Sequence, residues 1–412
     1  MNKYISIFIC FFITTFGFVT TSFADQSLES EISQLRAEMK AMQKQYEARI
    51  ATLEQKIGTS ESKTDSAYDK KGSELELPEI SVIVDNVANF TDLETNSTKD
   101  KVRVKEAELS FQGYLYPDIR GDFIAALEQE YEDNTVSTEI DIEEAYLSFL
   151  NLPFGLQAIT GRKLLSFGRL NALHPHHWNF TETPLVMQNL FGHHPWFDDG
   201  LELSYLIPNS ADLYCKLAFS LYNGKQMGHA HSHSHDADTE AEPEHFGEEL
   251  IEWDGHVYTG RAVLDIPFSD NFNGSLGYSL ALDDNNRNKL HGADFVLRYD
   301  IPNSYHKVKW HSEYFYLEEN QRNITPYGWF SYLLLGLNKN WETGLKYDWS
   351  KFADNDNKHA WAGSAFLTYY FTHSLYLRGE YQYKEHASGR NENQFFIQLV
   401  WGIGPHSHRL EE

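Results

Sequence analysis

From about residue 79 to residue 403, apolar and polar residues alternate in sixteen short segments, joined in turn by tight reversals and longer polar loops. In the segment from Ser374 to Lys384, Leu375, Leu377, Gly379, Tyr381 and Tyr383 fall on one face; Tyr376, Arg378, Glu380, Gln382 and Lys384 fall on the other. A period of two puts such sets on opposite sides of a β-strand. One strand of this kind fits a soluble sandwich equally well, so the number of strands and the loop asymmetry decide. Compact reversals rich in Pro, Asn, Asp, Ser and Gly are read at 116–118, 151–155, 207–210, 266–270, 301–304, 338–340 and 371–374. Longer loops are read near 90–100, 131–139, 164–198, 224–254, 282–290, 318–326, 351–358 and 385–391. Eight long loops and seven short turns join sixteen strands, with both ends of the barrel on the short-turn side, the periplasmic side of bacterial outer-membrane barrels. The predicted fold is an all-β, sixteen-stranded antiparallel transmembrane β-barrel over 75–412. It is preceded by an N-terminal periplasmic coiled-coil helix, and both termini are periplasmic.

The N-terminal part reads as three pieces. Lys3, the apolar run Ile5 to Val19 and Ser22-Phe23-Ala24 predict a cleaved signal peptide over 1–24. From Ser27 to Ile57, Leu28, Ile32, Leu35, Met39, Met42, Tyr46 and Leu53 follow heptad spacing among Glu, Gln, Lys and Arg, which predicts a coiled-coil segment over 25–57. A single amphipathic helix is the other reading of the same pattern. A coiled coil there would hold subunits together, so a homo-oligomer is expected, a trimer by porin precedent. Residues 58–74, rich in Ser, Lys and Asp, read as a flexible linker.

Composition sharpens this reading. Mean hydropathy is −0.50, and no run after residue 24 supplies the roughly 20 apolar residues of a spanning helix. A membrane protein without such helices has to be a closed barrel, because an open edge strands backbone groups in hydrocarbon. Aromatics reach 15%, and Trp341, Tyr347 and Trp349 share one outward face, as interfacial girdles require. Barrels of this size leave room for an aqueous channel. Cys215, the one cysteine left after leader removal, falls in a lipid-facing register and gives no disulfide or catalytic case. No Ser, Asp or His stands at catalytic motif spacing, so an enzyme is not expected.

Two loops carry the candidate chemistry. The third loop, 164–198, is too apolar for a spacer, with Phe167, Leu170, Trp178, Phe180, Met187, Phe191 and Trp196 among its residues. A long loop of that character packs somewhere, and the barrel interior is nearest, where it would constrict the pore. It also carries His174, His176, His177, His193 and His194 beside Glu182, Asp198 and Asp199. Imidazole and carboxylate together suit zinc and similar ions, although histidines there can equally bond the loop's own backbone. The fourth loop, 224–254, contains His229, His231, His233, His235, Asp236 and His245. From Gln226 to Gly260 there are six His, nine acids and no Lys or Arg. Such a chain offers many ligands without fixed geometry, so weak, exchangeable capture of transition metals is expected, with Zn2+ a transient ligand and no cofactor required.

Net charge is −26. Inward strand positions are read as mixed with an acidic excess: Glu106, Glu108, Glu128, Glu144, Glu202, Glu313, Asp348 and Glu380 among the acids, Lys216, Arg261, Lys309, Lys346 and Arg378 among the bases. Carboxylate rings and an acidic mouth concentrate cations. The expected partners are outer-membrane lipid and small ions, zinc included, with no nucleic acid.

A helical prefix followed by a sixteen-stranded barrel resembles the phosphate-selective porins O and P. A closer likeness is to proteobacterial zinc-regulated outer-membrane receptors. It is carried by Gly161-Arg162, Phe167-Gly168, Leu173-His174-Pro175-His176-His177-Trp178, Pro184-Leu185-Val186, Asn189-Leu190 and Asp198-Asp199-Gly200, with the His- and acid-rich loop and the ending Gln398-Leu399…Gly404-Pro405-His406. The resemblance implies an outer-membrane channel linked to zinc supply. The energised uptake class needs a barrel of roughly 22 strands with its own plug; residues 25–78 hold only coil and linker, so a passive channel is expected. A metal-binding or adhesive surface barrel without a conducting pore and an anion channel of the phosphate type stand as alternatives.

Overall fold

The computed structural model describes residues 78–405, apart from 95, 133–134, 211–212 and 225–249. The expected leader, coiled coil and linker therefore lie outside the described residues, as do His229, His231, His233, His235, Asp236 and His245.

Sixteen antiparallel strands close on themselves, each pairing with its sequence neighbours and the first with the last. The first half holds β1 (Glu79–Thr91), β2 (Lys101–Tyr116), β3 (Ile119–Glu132), β4 (Thr135–Phe149), β5 (Leu156–Leu164), β6 (Phe197–Leu206), β7 (Tyr214–Tyr222) and β8 (Val257–Ser269). The second holds β9 (Phe272–Asp283), β10 (Asn288–Asp300), β11 (Lys307–Glu319), β12 (Tyr327–Gly336), β13 (Trp341–Phe352), β14 (Asn355–Thr372), β15 (Leu375–Glu385) and β16 (Asn391–Ile403). Closure is made by β1 against β16, with Val84 opposite Trp401 and Phe90 opposite Phe395. No edge is left with unpaired backbone, the condition for a sheet in lipid.

Period-two alternation holds along most strands. In β15, Tyr376, Arg378, Glu380 and Gln382 are buried toward the lumen while Leu377 is exposed on the outside. Outward aromatics form ladders near both rims: Trp329 with Tyr347 (5.2 Å between ring centroids) and Trp361 with Tyr383 (5.3 Å) toward the long-loop end, Trp341 with Tyr369 (4.7 Å) toward the short turns. These are the girdles expected at the two interfaces of an outer-membrane barrel. Three connections differ from the expected ones. The loops expected at 131–139 and 351–358 are tight, because β3 and β4 pair as far as Glu132 and Thr135, and β13 and β14 as far as Phe352 and Asn355. The reversal expected at 266–270 falls after Ser269, where a register irregularity carries β8 beyond Pro267.

Two β-bulges matter for the lumen. Asp85 pairs with Glu106 and Asn86 with Val104, so Lys105 is an extra residue on β2. Ile124 pairs with Glu144 and Ala125 with Ile142, so Glu143 is an extra residue on β4. An extra residue shifts the side-chain phase by one. As a result Glu143 and Glu144, adjacent in sequence, are both buried on the inside.

Candidate functional site

The third loop fills a layer of the barrel interior. Leaving β5, it is pinned at its base where Leu165 N donates to Trp196 O at 2.9 Å. It then crosses to the far wall, where Gly168 N donates to Ser279 Oγ (3.1 Å) and Leu170 N to Glu313 Oε1 (2.7 Å). Gly168 has φ +67°, a left-handed conformation that lets the chain pass close under Glu313 and Phe315. The chain returns to the β2–β4 wall at His174, then meets β15: Tyr376 Oη donates to His176 O (2.7 Å), Arg378 Nη2 to Trp178 O (2.8 Å), and Thr181 N to Glu380 Oε2 (2.6 Å). Lys105 Nζ reaches Thr181 O (2.5 Å), and Lys346 Nζ reaches Glu182 O (3.0 Å) while lying over the Phe180 ring at 4.2 Å. A short helix, α1 (Leu185–Phe191), packs against β12 and β13 before the chain turns back to β6.

The driving force for this circuit is apolar. Phe167, Leu170, Trp178, Phe180, Val186, Met187, Leu190, Phe191 and Trp196 are buried together with inward Phe315, Phe330, Tyr332 and Leu334 of the wall. Phe180 meets Tyr332 edge-on at 5.4 Å, and Trp196 stacks on Trp253 at 5.0 Å. Burial of side chains this large contributes about 1.5–3 kcal/mol each, to which the hydrogen bonds between loop and wall add. Lumen charges at this level are buried in consequence: Arg378, Glu380, Glu313 and Asp348 are each no more than 1% exposed. Lys163 and Glu202, paired at 2.6 Å, are almost as deeply buried. Toward the short turns the interior opens: Arg298 is paired with Asp300 (2.9 Å) and half of its side chain remains exposed.

Where the loop meets β2 and β4, carboxylates and imidazoles converge. His174 Nδ1 lies 3.1 Å from Glu108 Oε1 and 3.2 Å from Glu143 Oε2, and His174 Nε2 lies 3.2 Å from Glu144 Oε2. His176 Nδ1 is 2.9 Å from Glu108 Oε1. Glu106 joins them: one ligand-type atom from each of Glu106, Glu108, Glu143 and His174 lies within 4.8 Å of the others. All four are buried. Burial pushes the His174 imidazole down, but Glu108, Glu143 and Glu144 outweigh it and hold it well above the ordinary histidine value.

Of the histidines expected to act together in this loop, the structure brings together His174 and His176. His194 stands at the margin, with Nδ1 3.2 Å from Glu128, which faces Glu106 across the β2–β3 ladder. His177 lies against His176 with ring centroids 4.0 Å apart, outside the converging atoms. His193 is exposed and contributes its backbone carbonyl to Thr183 Oγ1 at 2.8 Å. Glu143 is the residue that strict alternation assigned to the wrong face. The signal was present: two adjacent acids within a lipid-bound strand are tolerated best if a bulge turns both inward.

No family model matches the chain. An uncharacterized protein of Aquifex aeolicus (strain VF5) is 25% identical over 300 residues, covering 68% of this chain and 61% of that protein. The shared region thus spans less than two thirds of that relative. Among solved structures, the outer membrane channel DcaP of Acinetobacter baumannii superposes with a TM-score of 0.51 at 12% identity, covering 82% of this chain and all of that one. OmpF of Salmonella typhi, in complex with daunomycin, gives a TM-score of 0.51 at 11% identity, covering 79% and 97%. An anion-selective porin from Comamonas acidovorans gives 0.50 at 11% identity, covering 79% and 99%. At such identities the likeness is one of architecture. The chain has the closed sixteen-stranded barrel fold of outer-membrane porins.

Proposed function

We propose that the protein is an outer-membrane channel for passive passage of small solutes, with cations favoured and zinc or another divalent metal ion as its physiological cargo. The observation that carries this reading is a closed barrel whose third loop crosses the lumen between walls rich in carboxylate, opening on a polar vestibule at the short-turn end. The His- and acid-rich fourth loop would gather metal ions at the external mouth, and the N-terminal helix would hold the protein as a trimer with both termini in the periplasm. His193, His194 and His177 would be transit contacts around the constriction.

Single-channel conductance and reversal potential in planar bilayers, with and without zinc, test the reading. Discrete steps with a positive-ion preference support it. A second reading is favoured by the completeness of the loop's circuit: a barrel that stays shut while its external loop binds metal. Absence of conductance from correctly folded trimers would select that reading instead.

A further inference from the structure

We propose that Glu106, Glu108, Glu143 and His174 bind one resident divalent transition-metal cation, of the zinc class, which fastens the third loop to the barrel wall. Such an ion is distinct from transiting cargo, and the site stands whether or not the barrel conducts.

The first ground is polar atoms without partners. Both oxygens of Glu108, Oε1 of Glu106, Oε2 of Glu143 and Nδ1 of His174 are buried and make no aligned hydrogen bond. Glu108 is 3% exposed and Glu143 4%. Buried carboxylates normally collect donors, as Glu313 does here from Arg169 N, Leu170 N and His311. Three carboxylates turned toward one another and met only by the imidazoles of His174 and His176 call for further positive charge among them.

The second ground is how His174 is held. Its Nε2 faces Glu144 Oε2 at 3.2 Å, and the other oxygen of Glu144 accepts the Leu164 N–H at 3.1 Å. Glu144 is thus anchored and accepts from Nε2–H, so Nδ1, which points at Glu108 and Glu143, is the nitrogen that a metal ion would engage by displacing its proton. This is the carboxylate–histidine–metal arrangement in which an outer carboxylate sets the ligand's tautomer and orientation. A protonated His174 would be the competing source of positive charge, with His176 Nδ1 also 2.9 Å from Glu108 Oε1, but these two imidazoles face four carboxylates.

Size and chemistry agree. Zinc bonds to oxygen and imidazole nitrogen are about 2.0–2.2 Å long, so ligand atoms of a tetrahedral shell stand roughly 3.4 Å apart; His174 Nδ1 lies 3.1 and 3.2 Å from Glu108 and Glu143, and all four atoms lie within 4.8 Å of one another. Carboxylates with an imidazole select zinc, manganese or cobalt over calcium and magnesium, which take all-oxygen shells. The two bulges supply the geometry, since without them Glu143 would face lipid.

The test uses the full chain purified in detergent, loaded with zinc and then washed with a weak chelator that strips exchangeable sites. One zinc per chain should remain by elemental analysis. Its X-ray absorption spectrum should show an oxygen-dominated shell with one imidazole. Glu108→Gln and Glu143→Gln should each lose the retained ion, whereas replacing His229, His231, His233 and His235 by Ser should keep it. Heat-shifted gel mobility confirms that each variant forms the barrel. If the two Gln variants do not fold, the wild-type spectrum decides. No retained zinc, equal retention in the folded Gln variants, or a shell dominated by several imidazoles would overturn the proposal.

Discussion

Arg378 Nη2 and the backbone carbonyl of Trp178, two hundred positions apart in sequence, meet at 2.8 Å inside the barrel. The same guanidinium donates to Gln398 Oε1 (2.7 Å) and Thr368 Oγ1 (3.1 Å), so one wall residue ties the loop to three strands. Arg378→Ala would leave the Trp178 carbonyl and Gln398 buried without this donor, at a cost of about 1–3 kcal/mol. The variant should fold, but its third loop should release from β15. Larger and noisier single-channel steps than wild type are the expected outcome; unchanged conductance would show that the tie does not hold the constriction.

The Lys163–Glu202 pair tests the wall beneath the loop. Both side chains are buried at 2.6 Å, and Lys163 holds the Glu202 carboxylate through charge and hydrogen bond together. Removing one partner leaves an uncompensated buried charge, which costs about 3–5 kcal/mol. Glu202→Gln should therefore lower the urea midpoint for loss of the folded gel band. The double change Lys163→Met, Glu202→Met should recover much of it.

Ion selectivity follows from charge. The lumen-facing acids outnumber the bases, and acids crowd the long-loop rim at Glu252, Asp254, Asp283, Asp284 and Glu319. Reversal potentials in asymmetric KCl should show a modest cation preference. That preference should weaken with added salt, since exposed charges are screened over ~10 Å at 0.1 M. A clear anion preference would mean that Arg261, Lys309 and their neighbours dominate, and would favour the phosphate-type alternative.

The fourth loop lends itself to a deletion. Its histidines must be neutral to bind metal, and an unperturbed imidazole titrates near ~6.5, so capture should fail below about pH 6. Neighbouring acids favour the charged ring and move that loss upward in pH. Removing 228–244 should abolish most exchangeable zinc binding at pH 7.5 by calorimetry while leaving the barrel folded. Equal exchangeable binding by both forms would transfer the capture role to the third-loop histidines His174, His176, His177, His193 and His194.

Strand number, most of the lumen-facing set and the two longest loops were legible in the sequence, because the bilayer forces a local rule; the loops expected at 131–139 and 351–358 were not, since the strands there pair on to tight turns. Each strand must show lipid on one face and water on the other, and a period of two records this residue by residue in stretches such as Leu375–Glu385. The inward fate of the third loop was legible for a related reason, since Phe167, Trp178 and Phe180 need a dry partner and the lumen offers one. What these residues would touch was decided by the tertiary structure alone. Two single-residue bulges, at Lys105 and Glu143, reset the phase of β2 and β4, and pairing across strands rather than any local pattern determines where a bulge falls. The path of the loop then selected His174 and His176 to meet Glu106, Glu108 and Glu143 and left His193 exposed, although all these histidines looked alike in sequence. Contact between residues 30 to 70 positions apart depends on the closed curvature of the wall and the packing of the loop against it, which no single segment encodes.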